Sequence, residues 1–598
     1  MLTSRWRLAA ATVAVVLATL PVAVVLVLYA GRDFVPGGDL AVVDARVRDV
    51  FTHDVPLVGP YSRGFNHPGP LMFYLLGPLN GIAASAPWST LVAGVMLHVA
   101  ALSLSAWVAW RRGGLTLTVL VLAAMTLAYG AVGPRVFLDY WNPFIALPFF
   151  PLFILEVWSV TVGDRWHLVG VGAVGSFLVQ THVGYVTLVA AGAVWALALA
   201  AFDARRDPTA WRDWRGPAAT AAALVVALWI PPIVDELTNH PGNITLLVRY
   251  LRDHAVGTGL RNGAGLFAAE FRVLPPWLGG PELLHPLRHT ATAASLWWLV
   301  IPTVVLLGGF VAARRSRATG SMRLIALVAV LVIVGIVTLG RVDPPLDTYL
   351  FEWRILLAMF VFVAAGWALV NVPELRDAIG LRMIAALCVL SLLAWAAAVL
   401  TVDLARRPRV NRYQPDAVVL LRQLHHAGIP SRPFIAQRVG TAYLGMHAAI
   451  VDQLDAEGRP VRVDPPAASA WGRHRSLPPD QAQVIWYVIE EGRHVSLLTA
   501  VPGARVVART TPLSAAQEVE LVALQRSLTL ALHRAGRSDL DPFLEYSLLV
   551  PLLVGVPGVD REQVTRVREL EDRVNRSGRC RCAVIAFAPR HAPSPPPD

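Results

Sequence analysis

Residues 37–50 read GGDLAVVDARVRDV, and residues 61–74 read YSRGFNHPGPLMFY. In the first stretch Leu40, Val43, Val47 and Val50 recur at helical spacing, which predicts a short amphipathic helix with its acids and arginines on the other face. The second gathers Tyr, Arg, Asn and His immediately ahead of an apolar run. Both follow an uncharged run, 8–30, that exceeds the roughly 20 residues a helix needs to cross a hydrocarbon core. Polar groups collected at one end of membrane helices are costly unless they handle something polar there.

Composition sets the class. Of 598 residues 55% are hydrophobic and 16% charged, with mean hydropathy +0.53, which describes a polytopic membrane protein. The first run is longer than a signal-peptide core of about 7–15 residues, and LYA before Gly31 is a poor cleavage site, so it reads as an uncleaved helix. The net charge of +11 is carried by Arg without any Lys and is spread over short loops, which excludes a nucleic-acid face. Cys388 sits in an apolar run. Cys580 and Cys582 lack two further ligands for zinc, and outside the cytoplasm they could instead close a small-ring disulfide. No Walker loop, Rossmann glycine pattern or HExxH helix is present, which disfavours nucleotide-driven and zinc-protease chemistry.

Hydropathy and the positive-inside rule together predict about eleven membrane helices. They are 8–30, 88–110, 115–133, 143–161, a hairpin within 167–201, then 217–232, 293–312, 323–340, 355–371 and 382–401. QTHVGY (180–185) is the polar turn of the hairpin. Arg111 and Arg112, DRWH (164–167), DARRDPTAWRDWR (203–215) and AARRSRATGSMR (312–323) mark the inner face. The N-terminus is then inside and everything after about residue 403 outside, in a multi-pass protein of the cytoplasmic membrane. Residues 68–84, interrupted by prolines, read as an interfacial helix. The expected domains are 1–402 in the membrane, an extracytoplasmic α/β domain over 403–590 and a disordered tail over 591–598. In the outer domain QPDAVVLLRQLHHAG and TAYLGMHAAIVDQLDAEG read as helices, the second ended by Gly458. VIWYVIE, VSLLTA, ARVVA and AVIAFA read as buried strands.

Asp39 has two readings from its position alone, an N-cap of the amphipathic helix or an acid serving a site at the membrane face. Asp44 and Arg48, four apart, could be simple surface support.

An acid soon after the first helix, a short Asp/Arg-rich helix and a His-Pro step leading to PLMFY resemble the GT-C glycosyltransferases. The nearest group contains the protein O-mannosyltransferases and the lipid A aminoarabinose transferases. The residues that carry the resemblance are Asp39, Asp44, Arg46, His67, Pro68, Pro70, Leu71, Phe73 and Tyr74. The chain departs from the group in having Leu40 after Asp39 and HPGP in place of consecutive prolines, which marks a divergent branch. The resemblance implies an enzyme that moves a sugar from a polyprenyl-phosphate donor to a glycan, lipid or protein acceptor in cell-envelope assembly, by inverting single displacement.

Asp39 is then the expected base, and Asp44 an alternate or metal-associated acid. A divalent metal is compatible with this pattern, and no other cofactor is implied. Phosphate and sugar would be met on the outer face by Arg63, His67, Asn142, His182, Asp235, Arg341, Tyr349 and Arg354, since Arg matches phosphate oxygens with two donors. Neighbouring aromatics such as Tyr140, Trp141 and Trp353 also fit the ordinary interfacial belt. The rival class is a transporter or flippase of lipid-linked glycans. It predicts polar groups at mid-membrane and matching halves, whereas here the charges sit at helix ends. A third reading is an outer binding domain on a membrane anchor, for which Asp39 would be dispensable.

The topology is testable directly. Reporter fusions after Gly458 are expected to behave as extracytoplasmic and fusions near Arg206 as cytoplasmic. The same side for both would mean a wrong helix parity.

Overall fold

The computed structural model describes residues 34–273, 291–372 and 414–593, apart from 63, 84–85, 133–135, 137–138, 207–210, 255–256, 440–444, 491 and 546–548, together with Thr12, Pro275, Trp277 and Glu374. The predicted helices 8–30 and 382–401, Arg63 and the last five residues of the tail lie outside the described residues. The chain divides into two compact units, and each is assembled from separated segments. The first comprises 1–31, 55–83 and 89–408, the second 32–54, 84–88 and 409–598. The sequence boundary at 402/403 therefore does not account for residues 32–54, which cluster with the C-terminal part.

Helix α1 (Asp39–Arg48) forms where the apolar stripe predicts it. Its cap is Gly38, at φ 61, and Asp39 is the first helical residue instead of the cap. The Gly38 amide is bonded to the Gly445 carbonyl, 3.1 Å. A positive φ is accessible to glycine without a Cβ clash, so the chain turns one residue before the acid.

In the first unit, α2 (Leu71–Ile82) is followed by α3 (Pro87–Val132), two predicted spans merged across Gly114, whose φ of 62 and ψ of −155 break the helix just past Arg111 and Arg112. Short α4 (Asn142–Ala146) leads into α5 (Phe149–Thr161), in which every residue is buried. The predicted hairpin is α6 (His167–Thr181) and α7 (Val186–Arg206), joined by a 3-10 turn at Val183–Tyr185. Helices α8 (Trp211–Thr238), α9 (Asn243–Asp253), α10 (Leu260–Ala268), α11 (Val300–Arg315), α12 (Thr319–Leu339) and α13 (Trp353–Val370) complete the unit. Among the described residues seven helices are long and apolar enough to cross a membrane. Helix α5 supplies the interior, whereas α8 and α11 carry exposed Val226, Ile230, Val304 and Leu307 outward, as lipid-facing helices must.

The Arg-rich helix ends are internally paired. Arg112 meets Asp164 at 2.5 Å, His167 meets Glu156 at 2.5 Å, Arg165 meets Asp213 at 2.6 Å and Arg323 meets Asp203 at 3.0 Å. Topology-setting charges thus also tie neighbouring helices together at that face.

The second unit carries α14 (Gln414–Ala427), β1 (Phe434–Val439), α15 (Gly445–Ala456), β2 (Val461–Arg462), α16 (Ala468–Trp471), β3 (Ile485–Ile489), α17 (Gly492–Thr499), β4 (Arg505–Thr510), α18 (Ala515–Arg534), α19 (Arg561–Ser577) and β5 (Cys582–Phe587). The sheet order is β2-β1-β3-β5-β4. Strands β2, β1 and β3 are parallel, and β5 runs antiparallel between β3 and β4. Ile435, Ile485, Tyr487, Ile489, Ile585 and Phe587 form one core layer with Val495 and Leu498 of α17. VSLLTA is therefore helical and not a strand. Val495 and Leu498 are buried three residues apart while Leu497 between them is exposed, a spacing only a helix provides. FIAQRV, absent from the expected strands, is β1. Helix α18 starts with a capping box, Ser514 with Gln517, and packs with α19 around a separate cluster that includes Leu521, Leu528 and Val567. Cys580 and Cys582 form a disulfide at the start of β5.

Candidate functional site

In the first unit, NHPGP belongs to a tight hairpin. The His67 amide is bonded to the Pro60 carbonyl at 2.8 Å, and the Gly59 amide to the His67 carbonyl at 2.9 Å. The hairpin is held from outside by Asn243, which accepts from the Asn66 amide at 2.7 Å and donates to the Asn66 carbonyl at 2.8 Å. Asn243 is itself fixed by Asp235, whose Oδ2 accepts from the Asn243 amide at 2.8 Å while Oδ1 accepts from Asn239 at 2.8 Å. A residue proposed to meet substrate thus has both its oxygens bonded within the protein and orients the hairpin.

The imidazoles of His67 and His182 stack at 5.0 Å between centroids. Both are buried, and each Nδ1 accepts a backbone N–H: Val183 to His67 at 3.1 Å and Gly184 to His182 at 3.2 Å. An Nδ1 that accepts leaves the neutral ring with its proton on Nε2. Burial also holds the His67 imidazolium pKa well below its usual value, with His182 adding to the effect. The pair therefore offers two neutral N–H donors on fixed rings. Asn142 donates to the Thr181 carbonyl at 3.2 Å and so braces the same turn. His67, Asn142, His182 and Asp235, scattered over residues 67–235 of the sequence, meet in one bonded patch. Asn66 and Gly59 escaped the sequence reading. Their signal was the NHPGP step itself, which needs a partner for a buried amide on each side.

Tyr349 stacks on Trp141 at 4.8 Å. Arg341 is exposed. Arg354 departs from the expected free phosphate-binding cation. It is 2% exposed, pairs with Glu270 at 2.7 Å and lies 5.1 Å over the Phe351 ring. Its charge is balanced inside the unit by an acid from the AAEF segment, and an unpaired guanidinium there would be strongly disfavoured.

In the second unit, α1 enters a buried ionic network. Arg48 reaches Asp44 at 2.5 Å, Asp452 at 2.7 Å and Asp455 at 3.0 Å. Arg475 reaches Asp49 with both terminal nitrogens at 2.8 Å and Asp455 at 2.9 Å. Arg46 also contacts Asp49, at 2.5 Å. The Asp44–Arg48 pair is thus not surface support, since Asp44 is fully buried. Burial works to raise the Asp49 and Asp455 pKa values, but His474 and the arginines at Asp49, and the arginines at Asp455, outweigh it, and both carboxylates end lowered. Asp452 goes the other way. Burial, with Asp44 and Asp455 nearby, pushes it up to about 8 against the pull of Arg48. Four carboxylates face three arginines in this network, and His474 also lies 3.4 Å from Asp49. A metal at Asp44 does not fit this donor set, because Arg48 already fills the cationic position. Among the described residues no group of three or more His, Cys, Asp or Glu side chains could hold a metal ion. Asp39 is half-buried in the first turn of α1, the end of a helix where backbone N–H groups favour an anion.

No family model and no curated protein matches the chain. Among solved structures, ArnT from Cupriavidus metallidurans bound to undecaprenyl phosphate aligns at 14% identity with TM-score 0.53, over 83% of this chain and 96% of that one. The apo state of the same protein aligns at 13% identity with TM-score 0.48 and the same coverage. At such identity the first of these likenesses establishes a fold held in common with that protein.

Two variants test the geometry. A Cβ on Gly59 would stand 2.6 Å from the Gly69 carbonyl oxygen and 2.8 Å from that of Gln180. Backbone cannot yield as a side-chain tip can, so Gly59→Ala is expected to cost on the order of 1–3 kcal/mol, read as a lower thermal midpoint in detergent. For Asp452, a folded-state pKa above the unfolded value means that the native state keeps a proton the unfolded chain has released. Stability therefore falls as pH rises from about 4 toward about 8. Asp452→Asn is expected to flatten that fall, measured as amide exchange across α1 and α15 of the full-length protein between pH 5 and 8. An unchanged slope would remove Asp452 as the titrating group.

Proposed function

We propose that the chain is a membrane glycosyltransferase that takes a sugar from a polyprenyl-phosphate carrier and passes it to an acceptor at the outer face of the cytoplasmic membrane, in envelope glycan or glycoconjugate assembly. The reading rests on a GT-C fold held in common with a protein crystallised with undecaprenyl phosphate. Support comes from the acid at the first turn of α1 and the paired imidazole donors of the His67 hairpin.

The reaction is an inverting single displacement. Asp39 takes the acceptor hydroxyl proton as that oxygen attacks the anomeric carbon. The bond from the anomeric carbon to the phosphate oxygen breaks, and the polyprenyl phosphate leaves with the electron pair. Of the first unit, the Nε2–H groups of His67 and His182 are the donors proposed for a phosphate, without adding charge, and Arg341 the cation. Arg63 and Tyr349 complete the expected contacts to donor and sugar. Arg354, with Glu270 beside it, shapes the wall instead of neutralising phosphate. Asp44 serves Arg48, which leaves Asp39 as the base.

Asp39→Asn is expected to lower turnover by about 10²–10⁴-fold while the protein still purifies as a folded species, because the amide matches the carboxylate in size. Unchanged turnover would sink the catalytic role of Asp39. With the wild-type enzyme, transfer is expected from a polyprenyl-phosphate sugar and not from a nucleotide sugar. Activity with a nucleotide sugar in lipid-free detergent would refute the donor class.

A further inference from the structure

Helix α1 is bound to residues of the chain's last third at both of its ends. Arg48 spans Asp44 on its own helix and both Asp452 and Asp455 on α15, and donates to the Asp452 carbonyl at 3.1 Å. Arg475, just after α16, grips Asp49 bidentately and reaches the Ala45 carbonyl at 3.4 Å, so it touches α1 through side chain and backbone. Asp455 is shared between Arg48 and Arg475 and joins the two clamps. The Gly38–Gly445 backbone bond fixes the N-terminal end of α1. Leu40, Val42, Val43 and Val47 are buried along the same helix. The helix therefore has neither rotational nor axial freedom within its unit, and its first residue is Asp39.

We propose that the C-terminal domain is the positioning element of the catalytic helix, with Arg475 and Arg48 as positioning residues that set the place of Asp39 through Asp49, Asp452 and Asp455. This rests on the reading of Asp39 as base. The alternative role for such a domain, an appended binding module, needs no buried ionic grip on the first outer loop. Two bidentate or shared guanidinium contacts fix a helix in two directions, whereas apolar packing alone tolerates sliding. Misplacing a reacting group by about 1 Å costs on the order of a hundredfold in rate.

The test uses the full-length enzyme in detergent with a polyprenyl-phosphate sugar donor. Arg475→Lys keeps the charge but loses the fork across Asp49 and Asp455. It is expected to lower kcat roughly ten- to a hundredfold with KM for the donor within about twofold, and to raise amide exchange across 39–48. Asp455→Asn, which leaves Arg48 with Asp44 and Asp452 and Arg475 with Asp49, is expected to give a smaller loss in the same direction. It also keeps the test decisive should Arg475→Lys fail to fold. Arg566→Lys, at the exposed pair with Glu520 on the α18–α19 hairpin, is the control and should leave both constants unchanged. Raised exchange in α1 with unchanged kcat in Asp455→Asn would overturn the positioning role, as would a loss confined to KM. Retained activity in Asp39→Asn would overturn the catalytic reading instead, so the two failures are distinguishable.

Discussion

Four carboxylates and three arginines meet around α1, with Asp44, Asp49, Asp452 and Arg475 buried and Arg46, Arg48 and Asp455 half-buried. Each ion is expensive to remove from water, and breaking any one pair leaves an uncompensated charge inside. The arrangement tolerates this because every guanidinium contacts at least one carboxylate. Such a network adds little net stability over an apolar core of the same volume, but it admits one register. A helix held by valines alone could turn or slide by a residue; one whose Asp44, Arg48 and Asp49 must meet Asp452, Asp455 and Arg475 cannot.

The first unit solves a related problem with neutral groups. Close to lipid, a charged site is costly, and the His67–His182 pair provides donors without charge. Backbone amides from the 183–184 turn select the tautomer, Asp235 and Asn243 hold the hairpin that carries His67, and Gly59 lets three carbonyls approach. Where this unit does bury a charge, at Arg354, it buries the opposite charge beside it at Glu270.

Much of this was legible in the sequence because its causes are local. Span ends follow from Arg clusters and apolar runs, and the structure places the break near Arg112 and the turn at His182 where the sequence puts them. Helices α14 and α15 follow from their apolar spacing and from glycines beyond their ends. What was not legible depends on partners far along the chain. Asp44–Arg48 looks like a surface pair because its other members lie on α15, 404 residues beyond Arg48 in the case of Asp452. Arg354 looks available because Glu270 is remote in sequence. FIAQRV was passed over since Gln437 and Arg438 interrupt an otherwise buried strand, and VSLLTA was misread because four apolar residues in six fit either period. Asp39 lost its capping role to a glycine whose positive φ no side chain announces.

The discontinuity of the second unit has a consequence for biosynthesis. Arg48 is synthesised 404 residues before Asp452, an interval of about 20–80 s at roughly 5–20 residues per second. Throughout that time the nascent α1 has only its local Asp44–Arg48 and Arg46–Asp49 pairs, without the carboxylates of α15 or Arg475. Only a chain translated past Arg475 can house the helix.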